Sequence, residues 1–209
     1  MMRRCLALLV VLALSACAAD NEFASDAEVA RVRHVADAPP SITLFTVLST
    51  RNGSGAHSGL LINGSERVMF DPAGTWQHPQ LPERHDLHYG MTDKMIAYYI
   101  DYHARVTFDV VEQTMLVTPE QAETAIARAR AYGAAPKAQC SRSISSILSG
   151  VPGFAGIAST WSPKKLSADF AALGASSRVI TDDDDDNNHG VLLVQANGEP
   201  LDKPEDLPQ

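Results

Sequence analysis

Residues 56–72, AHSGLLINGSERVMFDP, decide the fold. Two apolar runs, Leu60 to Ile62 and Val68 to Phe70, flank Asn63-Gly64. That dipeptide favours a hairpin because tight hairpin turns need positive φ at their central residues. His57 to Ile62 therefore predicts one strand, and Arg67 to Phe70 predicts its antiparallel return, closed by Asp71 ahead of Pro72. Upstream, Ile42 to Ser49 alternates and is rich in β-formers, and Asn52-Gly53-Ser54-Gly55 marks a turn. The chain thus opens with an antiparallel meander.

Beyond the hairpin, Trp76 to Tyr89 contains two prolines and no period, and reads as a loop. Thr92 to Tyr102 predicts a short helix with Met95, Ile96, Tyr99 and Tyr102 towards its buried face. Val106, Phe108 and Val110 alternate as a strand that continues towards Met115 and Val117. The clearest helix start follows: Thr118 as N-cap, Pro119 at the first helical position, then Glu120-Gln121 in a capping-box pattern. That helix runs to Tyr132 and closes at Gly133. A further helix spans about Cys140 to Leu148, and another opens at Ser162-Pro163 and stops at Gly174. His189 to Gln195 predicts a last strand. The expected class is α+β, a small antiparallel sheet packed with helices.

The N-terminus carries an address. Met1 to Arg4 are basic, Leu6 to Leu14 are apolar throughout, and small residues then lead to a cysteine. This is the pattern of a secretory signal, and the run is far short of the ~20 residues a membrane-spanning helix requires. Leu14-Ser15-Ala16-Cys17 resembles the lipobox of bacterial lipoproteins. That resemblance implies cleavage after residue 16 and acylation of Cys17. Because Ala18 rather than Asp follows the cysteine, it further implies the periplasmic face of the outer membrane. The expected organisation is a signal peptide over 1–16, a lipidated tether over 17–40, one domain over 41–195 and a loose tail over 196–209.

Loss of residues 1–16 removes Arg3 and Arg4, so 17 basic side chains fall to 15 against 25 acidic ones, a formal charge of −10. Such a balance argues against nucleic acid or an anionic membrane surface as partner. The run Asp182 to Asp186 has no glycine-punctuated calcium loop around it and reads as solvated. Of three cysteines, Cys5 leaves with the signal and Cys17 is expected to carry lipid, so Cys140 is left unpaired in an oxidising compartment.

Cys140 opens a predicted helix, where free amides and the helix dipole stabilise a thiolate and could hold an oxyanion. Its spacing with Ile144 and Leu148 equally suits a small buried apolar residue, so position alone leaves both readings open. A thiolate nucleophile needs an imidazole, and the imidazole an orienting group. The hairpin would bring His57 and Asp71 side by side, one ring nitrogen on the carboxylate and the other facing Cys140.

At these residues the chain resembles the permuted papain-like hydrolases, the relatives of NlpC-type peptidases and of lecithin:retinol acyltransferase. In papain the cysteine precedes the histidine. In permuted members the histidine strand comes first, which is the order of His57 and Cys140 here. The resemblance covers about residues 42–175. It implies Cys140 as nucleophile, His57 as base and Asp71 as orienter, with no cofactor. It also implies cell-wall peptide amides or lipid acyl groups as substrates.

Two other functions compete with that expectation. One is a non-catalytic envelope lipoprotein that uses the same fold as a binding or assembly module. The other is metal capture by the loop holding His78, His85, Asp86 and His88, although His85 and His88 lack the helical spacing of a His-Glu-x-x-His site. Trp76 and Trp161 are candidates to line a groove or to pack in the core.

Overall fold

A computed structural model describes residues 22–181. The lipobox, the acidic run from Asp182, the expected strand over 189–195 and the tail lie outside the described residues. Among those described, five helices surround one seven-stranded antiparallel sheet, so the chain is α+β. In chain order the elements are α1 (Asp26–Val32), β1 (Ser41–Ser49), β2 (Gly55–Asn63), β3 (Arg67–Phe70), β4 (Glu83–Arg84) and β5 (Leu87–Tyr89). They continue with α2 (Asp93–His103), β6 (Phe108–Leu116), α3 (Pro119–Tyr132), α4 (Cys140–Leu148), α5 (Pro163–Ala172) and β7 (Ser176–Ile180). The strand order is β4-β5-β3-β2-β1-β6-β7.

Both faces of the sheet are covered, and strand alternation sorts the side chains between them. Ile42, Leu44, Leu60, Ile62, Val68 and Phe70 meet Ala122, Ile126, Ile144, Leu148, Leu166 and Phe170 of α3, α4 and α5. On the opposite face, Phe45, Val47, Leu61 and Met69 pack with Met95, Tyr98 and Tyr99 of α2 and with Trp76. The α3 start is as expected: Thr118 accepts from the Gln121 amide while the Gln121 side chain accepts from the Thr118 amide.

The β2–β3 hairpin pairs Leu60 with Phe70 and Asn63 with Arg67, leaving a three-residue loop over 64–66. Gly64 is favoured there by close packing rather than by a left-handed turn. A Cβ on it would stand 2.7 Å from Glu123 Oε1 and 3.0 Å from Ile126 Cδ1 of α3.

Several expectations are corrected. The stretch 76–89 is not simply a loop, because β4 and β5 form a small hairpin within it, turning at His85 and Asp86 with φ of 51° and 65°. Strands of two and three residues carry no readable period, and this turn uses neither Asn nor Gly. The segment 22–40 does not hang free as a tether. Ser25 and Glu28 form a capping box that starts α1. Phe23 bridges Arg84, and the His34 carbonyl accepts from the Arg67 amide at 2.9 Å. On α2 the buried set is Met95, Tyr98, Tyr99 and His103, with Ile96 and Tyr102 only partly covered. The helix is flanked by both the sheet and the Trp76 segment, so its apolar face is wider than one stripe. Strand β7, paired with β6 from Thr114 to Val110, carries no apolar alternation and was not anticipated.

Candidate active site

The site forms where β3 stops. Phe70 is its last residue, and Asp71 turns away to donate its amide to the Asp86 carbonyl at 2.8 Å. Pro72 has no N–H to continue the ladder. The first half of β2 therefore extends past its neighbour, with His57 and Ser58 on an edge β3 does not cover. Helix α4 brings its N-terminus to this opening. The Ser58 hydroxyl meets that of Ser141 at 3.1 Å, and both residues are fully buried. The Ser58 amide, which β3 would otherwise engage, is directed at the Cys140 sulfur and favours its ionised form.

His57 points to the other face of the sheet, towards α2. Its Nε2 lies 2.6 Å from Asp71 Oδ1, and the ring also interacts with the Cys140 sulfur. The three residues proposed from sequence are thus brought together from β2, from the end of β3 and from the start of α4. Cys140 is 8 % exposed, so the sulfur is sheltered but not sealed.

Residues that sequence reasoning missed complete the arrangement. Tyr99 Oη donates to Asp71 Oδ1 at 2.8 Å, so one carboxylate oxygen serves both the imidazole and the phenol. His103, one helical turn on, donates from Nδ1 to the Tyr99 carbonyl at 2.7 Å and stacks on His57. Two glycines are imposed by this crowding. A Cβ at Gly59 would sit 2.0 Å from Tyr99 Oη, and one at Gly74 would sit 1.7 Å from Asp71 Oδ2. The i, i+4 pair Tyr99 and His103 was visible as a helix face, but an aromatic and a histidine there read equally well as core.

The electrostatics follow from burial and pairing. Burial disfavours a charged His57, but the Asp71 carboxylate outweighs it and raises the imidazole above its ordinary range. Burial likewise opposes the Asp71 charge, and His57 overrides it, holding the carboxyl well below the usual range. For Cys140, burial pushes the thiol up, while His57, the Ser141 hydroxyl and the Ser58 amide bring it down, with a net lowering. Tyr99 is pushed well above its usual value by burial and by Asp71, so it stays a neutral donor. Burial drives His103 down to about 4, against the pull of Asp71. The result is a thiol made more acidic beside an imidazole made more basic, with a carboxylate behind it. At α4 the N-cap Gln139 makes no side-chain capping bond, so its side chain does not occupy the first-turn amides next to the sulfur.

The alternative metal loop does not converge. His78 stacks on Tyr98, His88 packs edge-on against Trp76, and His85 lies against Phe23. Asp86 Oδ2 accepts from the Ala73 and Ala135 amides. Among the described residues, the group whose ligand atoms could share an ion is His57, Asp71 and His103, with those atoms within 4.8 Å of one another. The two tryptophans part ways: Trp76 is core, while Trp161 is 57 % exposed under the Arg142 guanidinium at 4.9 Å.

Compared with known families, curated proteins and solved structures, the chain matches no family model, no curated protein and no solved structure.

Proposed function

We propose that this protein is an exported, lipid-anchored cysteine hydrolase or acyltransferase built as a permuted papain-like domain. The observation that carries the reading is the convergence of three residues: His57 Nε2 lies 2.6 Å from Asp71 Oδ1, and the same imidazole acts on the Cys140 thiol to lower its pKa. A buried structural thiol would be surrounded by apolar groups and raised in pKa. This one is met by an imidazole, a hydroxyl and a backbone amide, and it is lowered.

In the proposed reaction the Cys140 thiolate attacks the carbonyl carbon of an amide, ester or thioester. The tetrahedral oxygen takes the negative charge and is received by first-turn amides of α4. His57 delivers its proton to the departing nitrogen, oxygen or sulfur, which leaves an acyl-thioenzyme and a neutral imidazole. Water or an amine then attacks, gives its proton back to His57 and releases Cys140 as thiolate. Asp71, fixed by Tyr99, holds the ring in the tautomer this cycle needs. Cell-wall peptide amides and lipid acyl groups are the substrate classes this chemistry fits. Cys17 would carry the lipid that holds the domain on the periplasmic side of the outer membrane.

Iodoacetamide kinetics test the reading. Cys140 should be alkylated near neutral pH much faster than in the unfolded chain, and His57→Ala should abolish the advantage. Equal rates in folded, unfolded and His57→Ala protein would overturn it and favour the non-catalytic binding module.

A further inference from the structure

The path of the chain into the domain orients the site. Residues 22–24 run alongside β4: the Glu22 carbonyl accepts from the His85 amide at 3.0 Å, and the Ala24 amide donates to the Glu83 carbonyl at 2.9 Å. Their antiparallel bridge, Phe23 to Arg84, places Glu22 beside the β4–β5 turn. That turn belongs to the end of the sheet that holds the site, because Asp86 accepts the Asp71 amide and Phe70 pairs with Leu87. Cys17 is five residues before Glu22. At about 3.3–3.6 Å per residue, that span reaches no more than ~18 Å.

The same end of the sheet carries three of the large exposed apolar side chains. Phe23 is 62 % exposed where the chain enters. Val106, 49 % exposed, lies beside the end of β1, where its carbonyl accepts from the Thr50 hydroxyl. Trp161 immediately precedes the α5 N-terminus, which packs against Gly55, two residues before His57. These groups flank the opening from both sides, and aromatic side chains of this kind settle at membrane interfaces. Leu116, 72 % exposed, stands at the opposite end, paired with Ser41.

We infer that the Cys140–His57 end of the domain rests on the surface of a phospholipid bilayer, with Phe23, Val106 and Trp161 inserted at the interface and the anchor on Cys17 beside them. The inference rests on the reading of Cys17 as acylated. Contact is apolar rather than electrostatic: the mature chain is strongly acidic, with five consecutive aspartates at Asp182 to Asp186. The site then meets bonds presented at the membrane surface before those deeper in the periplasm.

The test uses the mature acylated protein in zwitterionic phosphatidylcholine vesicles containing brominated lipid. Trp161→Cys, Val106→Cys and Leu116→Cys, each in a Cys140→Ser background, carry an environment-sensitive fluorophore, and mass spectrometry reports the state of Cys17. The labels at 161 and 106 should lose about half their emission, since interfacial groups sit ~5–10 Å into the headgroup boundary. The label at 116 should be unaffected, and added salt should change nothing. An acylated Cys17 with quenching at 116, or with none at 161 and 106, overturns the orientation alone. An unmodified Cys17 overturns the anchor and the orientation together, while leaving the thiol chemistry standing.

Discussion

The imidazoles of His57 and His103 lie stacked, centroids 5.4 Å apart and planes within 6°, yet their basicities are shifted in opposite directions. Asp71 pairs directly with His57, so the proton resides there. Burial, and after it the charge on His57, keep His103 neutral as a donor to the Tyr99 carbonyl.

This division predicts how stability depends on pH. Burial lowers His103, His88 and His78 to about 4 from an ordinary 6.5. As pH falls through that interval, the unfolded chain takes up protons before the folded one, so stability present near neutrality is lost between about 6.5 and 4. His57 has the opposite sign: its contribution is full below about 6.5 and is lost only as pH rises through its elevated value. Thermal melts from neutral to acid pH should show a falling midpoint, with a shallower slope in His88→Gln. A midpoint indifferent to pH across that window would contradict the burial assignment.

Asp71→Asn should uncouple the site without removing it. An amide cannot hold an imidazolium, so the proton on His57 is lost more easily and the Cys140 thiol titrates higher. A shift of one unit corresponds to about a tenfold loss of thiolate at pH values below its pKa. Alkylation rate against pH should show its midpoint displaced to higher pH by about that much or more, with the denatured variants reacting alike.

Gly59 and Tyr99 should behave as a coupled pair. Gly59→Ala forces a methyl to within 2.0 Å of Tyr99 Oη, which must move and release Asp71. Tyr99→Phe alone removes a hydrogen bond to a buried charge, a loss of about 1.5–3 kcal/mol. In the double variant the oxygen is gone and the worst overlap with it, so denaturant unfolding should show less destabilisation than the sum of the singles. Strict additivity would place Tyr99 elsewhere.

Phe170→Ala removes a fully buried ring between α5 and the sheet, and should cost about 3–5 kcal/mol. Leu116→Ser, at an exposed strand end, should fall within about 0.5 kcal/mol of the parent protein. Equilibrium unfolding in urea separates the two.

Elements with a strong local signal were legible in the sequence. The Thr118-Pro119 start, the alternation of Ile42 to Ser49 and the paired runs around Asn63-Gly64 each encode their structure within a few residues. The neighbours His57 and Asp71 were legible for the same reason, since a hairpin brings the outer ends of its two strands to the same place. The β4–β5 hairpin and β7 were not, because their strands are short and have no apolar period. Residues 22–40 read as a tether because their hydrogen bonds go to Arg67, Glu83 and His85, far along the chain.

What the sequence determined by itself was the class and the meander. Local propensity and the apolar pattern suffice for these. Only the tertiary structure decided that β3 ends early enough to free the Ser58 amide, and that α4 reaches around that edge. It alone set Tyr99 and His103 behind Asp71, and turned Phe23 and Trp161 towards the same end as Cys140. Those relations depend on which surfaces pack across the sheet, and no spacing along the chain encodes that packing.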